Sequence, residues 1–218
     1  MAKSALIIAI GLLLTGCNQS TNQPVEKNSR LELIPEPDRA ERLKYEAIQA
    51  LRKSGCVLTN PDTSICDIKI RDAASAAKMI GNKNKPDSLG QYRFYSTHER
   101  ETLTLTQHPG DGANQISLFS VEYSDKASYN YHQLPIDTFK SEKGIRLGMT
   151  KQQLIQRLGN CYAGLDSTKG YIELYYRIES PKDSRTKLLG RNSMPIYYAS
   201  YKLWNDKLGK FEFGFEYP

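Results

Sequence analysis

Apolar residues recur along this chain at two spacings, one typical of helices and one typical of strands. Helical spacing occurs in three segments, at about residues 38–53, 72–80 and 150–158. In the first segment the apolar side chains from Leu43 to Leu51 fall on one face. Asp72 precedes the second segment as an N-cap, and Thr150 with Gln153 forms a capping box for the third. The pattern predicts three amphipathic helices.

Alternation of apolar and polar residues indicates the strands. Six longer strands are predicted, at residues 92–95, 102–106, 115–123, 171–178, 196–203 and 210–217. A short hairpin precedes them, formed by residues 56–58 and 65–70 with a turn at Asn60-Pro61-Asp62. Residues 124–143 are polar with few aliphatic side chains, which predicts a linker. The expected fold class is α+β, with helices packed on antiparallel β-sheet.

The two halves of the chain repeat one pattern. In each half an apolar strand leads to a capping residue, a short helix and an Ile/Leu-Gly-Asn stop, and the helices lie 78 positions apart. The two copies span residues 68–82 and 145–160. This recurrence predicts two similar units, residues 31–124 and 136–218. Chance similarity between two short capped helices is the alternative.

The N-terminus has a different pattern from the rest of the chain. Lys3 precedes an apolar run of about ten residues, and the run ends in Leu14-Thr15-Gly16-Cys17. A positive charge, a short apolar core and small residues at the exit are typical of a signal peptide. The run is shorter than the roughly 20 residues that cross a bilayer. We therefore expect residues 1–16 to be a signal peptide that is removed.

The residues around Cys17 resemble a bacterial lipobox. This resemblance implies that Cys17 is lipidated and holds the protein to a membrane, and a chance cysteine after an ordinary secretory signal is the alternative. Asn18 stands where Asp marks inner-membrane retention in Gram-negative lipoproteins, so the resemblance implies the periplasmic face of the outer membrane. Residues 17–30 are polar and contain no aromatic side chain, which predicts a flexible tether.

The net charge of the chain excludes few classes of partner. The chain has 30 Lys and Arg against 24 Asp and Glu, a net charge of +6 at pH 7. Such a surface is either simply solvated or attracts anionic lipid headgroups or an acidic protein. No motif typical of nucleic-acid binding occurs, and an envelope location disfavours that partner, so no nucleic-acid partner is expected.

Cysteine usage agrees with an exported protein. If Cys17 carries lipid, Cys56, Cys66 and Cys161 remain, which allows one disulfide and one free thiol. An oxidising periplasm permits the bridge. The turn predicted at residues 60–62 brings Cys56 close to Cys66, so this pair is the favoured disulfide. Cys56 with Cys161 is the second candidate.

Candidate catalytic residues are few. The chain lacks the Gly-x-Ser-x-Gly, P-loop, dinucleotide-binding and His-Glu-x-x-His motifs. Cys161 with one of three scattered histidines is the nearest approach to a nucleophile pair, and a structural cysteine is the favoured interpretation. Glu99-Arg100-Glu101 is expected in a solvated turn, and Glu212 and Glu216 on the solvent face of the last strand. We expect no metal, no cofactor and no enzymatic activity.

A family resemblance is carried by the second half. The segment from Gly144 to Thr150 reads Gly-Ile-Arg-Leu-Gly-Met-Thr, its helix ends in Leu158-Gly159, and the last strands meet at a Trp-Asn-Asp-x-Leu turn. This pattern is similar to the BamE (SmpA/OmlA) and beta-lactamase-inhibitor-like group, although the first half lacks the Gly-Met. The resemblance implies protein contact through a sheet face. It implies either a scaffold in an envelope assembly or an inhibitor of an envelope or secreted hydrolase, with residues 109–114 as the inhibitory loop.

Tyrosines are the candidate contact residues. The chain has 14 of them, and four recur at even spacing in the predicted strands of the second half: Tyr171, Tyr175, Tyr197 and Tyr201. Packing of these rings in the core is the alternative. A predicted loop beside them carries four cations that suit an acidic partner, Lys182, Arg185, Lys187 and Arg191. We expect a lipid-anchored, non-catalytic, protein-binding module, with the hydrolase inhibitor and a cell-wall- or lipid-acting enzyme as alternatives.

Overall fold

The structure, a computed structural model, describes residues 39–81, 84–98, 100–124, 132–166, 170–179 and 187–217. The predicted signal peptide at 1–16, Cys17 and the tether at 17–30 lie outside these residues. Lys182 and Arg185 also lie outside them. Among the helices that are described, none is long and apolar enough to cross a membrane.

The described elements are four helices and ten strands. The helices are α1 (Arg39–Ser54), α2 (Ala73–Ile80), α3 (Lys151–Leu158) and α4 (Leu188–Asn192). The first five strands are β1 (Ser64–Ile65), β2 (Ile68–Lys69), β3 (Gln91–Tyr95), β4 (Glu101–Thr106) and β5 (Leu118–Tyr123). The others are β6 (His132–Gln133), β7 (Ala163–Asp166), β8 (Ile172–Glu179), β9 (Ile196–Trp204) and β10 (Lys207–Phe215). The predicted α+β class is confirmed.

One sheet of eight strands organises the fold. Its order is β6-β3-β4-β5-β10-β9-β8-β7, and every pair except β3–β6 is antiparallel. Strands β3–β5 form one meander and β7–β10 another, and the two meanders meet where β5 pairs with β10. At this junction Ser120 stands opposite Glu212, and Phe119 stands opposite Phe213. The six longer predicted strands of both halves therefore belong to a single sheet, and the β1–β2 hairpin forms a separate two-stranded sheet.

One face of this sheet is apolar and covered. Strand alternation directs every second side chain to that face, where the rings of Phe94, Phe119, Phe211, Phe213 and Phe215 are fully buried. Helices α2 and α3 belong to the same core through Ala76, Ile80, Leu154 and Leu158. The alternating pattern thus fixes which side of each strand faces the helices.

The caps of α2 and α3 follow the sequence prediction. The Asp72 side chain accepts hydrogen bonds from the backbone N–H groups of Ala74 and Ser75. Thr150 accepts from the backbone N–H of Gln153, whose side chain accepts in return from the backbone N–H of Thr150. Both helices therefore begin where their capping residues are.

Residues 132–143 pack against the sheet, so the predicted linker is wrong over this range. Leu134 and Phe139 are buried, and β6 extends the sheet beside β3. The Phe139 N–H donates to Glu101 Oε2 at 2.7 Å. Glu101 is itself buried at the start of β4, which corrects its assignment to a solvated turn. A carboxylate can be buried here because a backbone donor pairs with it.

The disulfide joins Cys56 to Cys161, with 5.3 Å between their Cα atoms, and the favoured Cys56–Cys66 pairing is wrong. The hairpin of β1 and β2 turns at Cys66 and Asp67, which both have positive φ, and not at Asn60-Pro61-Asp62. Cys66 therefore lies inside the turn, where its thiol is free and half-buried. Its Sγ atom lies 4.0 Å from the Lys140 carbonyl oxygen, and burial raises the pKa of the thiol.

Candidate functional site

The second face of the sheet carries polar side chains at alternate positions. Over β3, β4 and β5 these residues are Gln91, Arg93, Thr102, Thr104, Thr106, Ser120 and Glu122. Over β8 and β9 they are Glu173, Tyr175, Arg177, Glu179, Tyr198, Ser200 and Lys202. The two sets lie on either side of the β5–β10 junction. We call this surface the polar face.

Helix α1 lies against the polar face over β7 and β8. The Arg52 guanidinium binds the Glu179 carboxylate through two contacts of 2.8 and 2.5 Å. The Lys44 Nζ atom is 4.5 Å from the centre of the Tyr175 ring, within range of a cation–π contact. None of the side chains of α1 is fully buried. The helix is held by these polar contacts, by the half-buried side chains of Ala47, Ile48 and Leu51, and by the disulfide that follows it.

A charge network lies next to this helix. Arg177 is only 11 % exposed. It donates to the Tyr175 hydroxyl oxygen at 2.9 Å and forms an ion pair with Glu216, with 2.7 Å between Nη2 and Oε2. It also pairs with Glu179. The hydrogen bond from Arg52 is the main reason why the pKa of Glu179 is lowered. Burial raises the pKa of Tyr175 to about 12, so its phenol is neutral at physiological pH.

In the part of the chain that the structure describes, no element covers the other half of the polar face, which forms a groove of about 470 Å³. Its walls carry short hydroxyl side chains of β4 and β5 together with Arg93. At the junction, Lys210 Nζ pairs with Glu122 at 2.8 Å, and the Tyr198 hydroxyl donates to Glu212 at 3.3 Å. The groove therefore offers both hydrogen-bond donors and acceptors, and its two cations, Arg93 and Lys210, are balanced by two carboxylates, Glu122 and Glu212. We call it the open groove.

The structure separates the four candidate tyrosines. Tyr197 and Tyr201 are 0 % exposed on the covered face, whereas Tyr175 is 2 % exposed on the polar face near α1. Tyr171 is half-buried, with its ring centre 5.0 Å from that of Trp204. The prediction that the four tyrosines form one exposed contact face is therefore wrong, because Tyr175, Tyr197 and Tyr201 are buried and do not share one face of the sheet. The even spacing identified shared faces within each strand but not which face each strand exposes.

A buried carboxyl group lies beneath the two core tyrosines. Asp62 is 1 % exposed, and the Tyr201 hydroxyl lies 3.5 Å from its Oδ2 atom. Burial raises the pKa of Asp62 from 3.8 to about 6, against the hydrogen bonds that Ser141 and the Lys143 backbone N–H contribute. Burial likewise raises the pKa of Tyr197 and of Tyr201. The sequence pattern gave no sign of this cluster, because Asn-Pro-Asp is typical of an exposed turn.

Asp111 fixes the predicted inhibitory loop, residues 109–114, through one ion pair and two hydrogen bonds. Asp111 Oδ1 lies 2.5 Å from Arg71 Nη1, and Asp111 Oδ2 accepts from the Ser117 hydroxyl at 2.6 Å. Its Oδ2 atom also accepts from the His108 backbone N–H at 2.7 Å. The neighbouring Pro109 and Gly110 are exposed. The loop thus has a rigid base and an exposed tip.

Metal-ligating residues do not cluster in the part of the chain that the structure describes, where no group of three or more His, Cys, Asp and Glu could hold an ion. The histidines lie apart. His108 Nε2 is 2.8 Å from the Phe215 carbonyl oxygen, and His98 is 3.8 Å from Asp137. Cys161, the cysteine of the candidate nucleophile pair, has no free thiol because its sulfur atom is bonded to that of Cys56.

Comparison with known proteins adds nothing to this description of the site. No protein-family model, no curated protein and no solved structure matches the chain.

Proposed function

We propose that this protein is a lipid-anchored, non-catalytic protein-binding module of the bacterial outer membrane, facing the periplasm through an anchor on Cys17. The anchor rests on the lipobox resemblance of residues 14–17. The contact surface is the open groove rather than the tyrosines. The partner is an envelope protein, and the resemblance of the second half to BamE-like proteins supports a scaffold in an envelope assembly.

The observation that carries this proposal is the uncovered half of the polar face. A sheet with one covered face can present the other to a partner without rearrangement, because its strands are already paired and rigid. On the polar face, α1 lies over the half formed by β7 and β8. Thr104 and Ser120 belong to the other half and line the open groove. Short hydroxyl side chains lose little conformational entropy when a partner orders them.

The two described carboxyl groups whose pKa is raised by burial, Asp62 and Glu101, support a structural role over a catalytic one. Asp62 and Glu101 are both enclosed in the protein. Each accepts a hydrogen bond from a backbone N–H, that of Lys143 for Asp62 and that of Phe139 for Glu101. A general acid or base must reach the atom that it protonates or deprotonates. Enclosed groups that bind backbone donors are better suited to holding the fold.

Two similar units form part of the proposal. Each capped helix of eight residues, α2 or α3, is followed by an antiparallel meander in the same sheet, of three strands after α2 and of four after α3. The β5–β10 pair lies at the centre, with Ser120 opposite Glu212 at its midpoint. A hydrolase inhibitor is the second candidate, and the exposed tip of residues 109–114 on its fixed base favours it.

Affinity purification from crosslinked membranes tests the scaffold proposal. The wild-type lipoprotein is compared with a Thr104→Arg/Ser120→Arg variant, which fills the open groove with two long cations. Capture of one envelope protein by the wild type and its loss in the variant is the expected result.

The matched control is Gln152→Arg/Gln156→Arg, which adds two arginines at exposed positions of α3 outside the groove. Equal capture of the same protein by all three chains would overturn the open groove as the contact surface. Recovery of a hydrolase whose activity the protein suppresses would select the inhibitor instead.

A further inference from the structure

A second groove, of about 560 Å³, lies away from the sheet. It is lined by residues of the β1–β2 hairpin, the start of α2 and α4, and it shares no residue with the open groove. Pro61, Ile70 and Leu188 supply apolar surface that is buried or half-buried. Three exposed cations line the same groove, Lys69, Lys187 and Arg191. We call it the basic groove.

The carboxylates of the basic groove are already engaged. Glu142 accepts from the Thr63 backbone N–H at 2.8 Å and from the Thr63 hydroxyl at 3.0 Å. Asp72 caps α2 and accepts from the backbone N–H groups of Ala74 and Ser75 at 3.1 and 3.2 Å. Both acidic side chains are therefore held by uncharged donors and not by the cations beside them.

The three cations have no such partners. Within the described residues, neither Lys69, Lys187 nor Arg191 makes an ion pair or a side-chain hydrogen bond. Elsewhere on the surface, Arg52, Arg93, Arg177 and Lys210 all lie within ion-pairing distance of a carboxylate. Unpaired cations around an apolar floor attract a ligand that combines negative charge with apolar groups.

We propose that the basic groove binds an acidic segment of a partner polypeptide. A peptide can space its carboxylates to reach separate cations while an apolar side chain contacts Ile70 and Leu188. A compact dianion such as phosphate cannot spread its charge in this way, and it has no apolar group to place against Ile70 and Leu188. The ligand class is thus an acidic peptide.

This proposal goes beyond the contact at the open groove and does not depend on it. Lys187 and Arg191 were singled out in the sequence as cations suited to an acidic partner, and the structure adds Lys69 from β2 to them. Lys187 directly precedes α4, Arg191 lies in α4 and Lys69 lies in β2, so only the folded protein brings the third cation to the other two.

Fluorescence anisotropy measures the binding directly. The probe is a fluorescein-labelled oligoglutamate peptide containing leucines, and the matched peptide replaces every Glu with Gln. The wild-type chain is expected to bind the acidic probe, with affinity that falls as salt rises, and to ignore the neutral one. Neutralising the groove with Lys69→Gln/Lys187→Gln/Arg191→Gln is expected to weaken binding about tenfold or more.

A second triple variant removes the same charge elsewhere. Lys78→Gln/Arg146→Gln/Lys207→Gln alters exposed cations outside the groove and is expected to bind the acidic probe like the wild type. Circular dichroism establishes that both variants are folded. The proposal would be overturned if both triple variants lost affinity for the acidic probe equally, or if the wild type did not bind this probe.

Two competitors distinguish the ligand classes. Displacement of the probe by inorganic phosphate, or by phosphatidylglycerol vesicles at the same groove, would also overturn the proposal by assigning the site to phosphate chemistry. Because the assay uses a defined probe, its failure leaves the membrane capture experiment on the open groove unaffected. Conversely, if the wild type captures no envelope protein but still binds the acidic probe, only the open-groove proposal fails.

Discussion

The Tyr197 hydroxyl donates to the backbone carbonyl oxygen of Asp62 at 2.7 Å. Tyr197 lies in β9 and Asp62 in the segment before β1, and both residues are buried where the two elements meet. The bond joins positions 135 residues apart in the chain. It fixes the Asn-Pro-Asp segment against β9 and places the Asp62 carboxyl group near Tyr201. A segment that reads as an exposed turn is in this way part of the core.

Asp62→Asn is expected to change the pH dependence of stability. The pKa of Asp62 is about 6 in the folded protein against 3.8 ordinarily, so the folded state holds the proton more tightly. Stability from this group is fully present below pH ~4 and is lost as pH rises through ~6, a difference of about 3 kcal/mol.

Urea unfolding of the wild type and of the Asn variant between pH 4 and pH 8 measures this difference. Subtracting the two curves removes the contributions of other groups, such as Glu179, whose lowered pKa acts in the opposite direction. A wild-type minus variant difference that stays flat with pH would contradict the assignment.

Removal of the disulfide is expected to destabilise the protein. Cys56 and Cys161 are 105 residues apart, so their bridge restricts a long loop in the unfolded chain. The Cys56→Ser/Cys161→Ser variant should lose about 2–4 kcal/mol of unfolding free energy, measured by urea denaturation. Cys66→Ser is the control and should unfold like the wild type. A non-reducing peptide map that links Cys56 to Cys66 would contradict the pairing.

Gly214→Ala is expected to disrupt the junction of the two meanders. Gly214 has φ +155°, and a Cβ atom there would lie 2.2 Å from the Ser117 carbonyl oxygen and 2.7 Å from the Leu118 Cα atom. Because both contacts are with backbone, β10 would have to move away from β5, at a cost of about 3 kcal/mol or more.

Thermal unfolding compares this variant with Gly164→Ala. At Gly164 the nearest atom to a new Cβ is 3.8 Å away and φ is not positive, so the change should be below about 1 kcal/mol. Equal melting temperatures for the two variants would mean that β5 and β10 are not as closely paired as described.

Arg52→Ala is expected to loosen α1 with little effect on global stability. The Arg52 side chain is 38 % exposed, and partly exposed ion pairs contribute less than about 1 kcal/mol. Hydrogen exchange should nevertheless speed up in the amides of α1, because Arg52 is one of its few contacts with the polar face. Arg42→Ala, at an exposed position of the same helix, is the control and should leave exchange unchanged. Equal exchange rates in both variants would contradict the role of the Arg52–Glu179 pair.

Local structure in this protein follows from short-range signals in the sequence. Caps at Asp72 and Thr150, the glycines that end both helices and the alternation along the longer strands all act over a few residues. For that reason α2, α3 and the six longer strands could be predicted close to their observed bounds. The α+β class follows from the same local patterns.

Tertiary structure alone decided what depends on distant partners. The pairing of β5 with β10, the bridge from Cys56 to Cys161 and the burial of Tyr197 over Asp62 each join residues far apart in the chain. Periodicity shows which side chains share a face of one strand, but packing decides which face is covered. The basic groove and the open groove likewise exist only after the chain has folded, because their side chains come from separate elements brought together by the core.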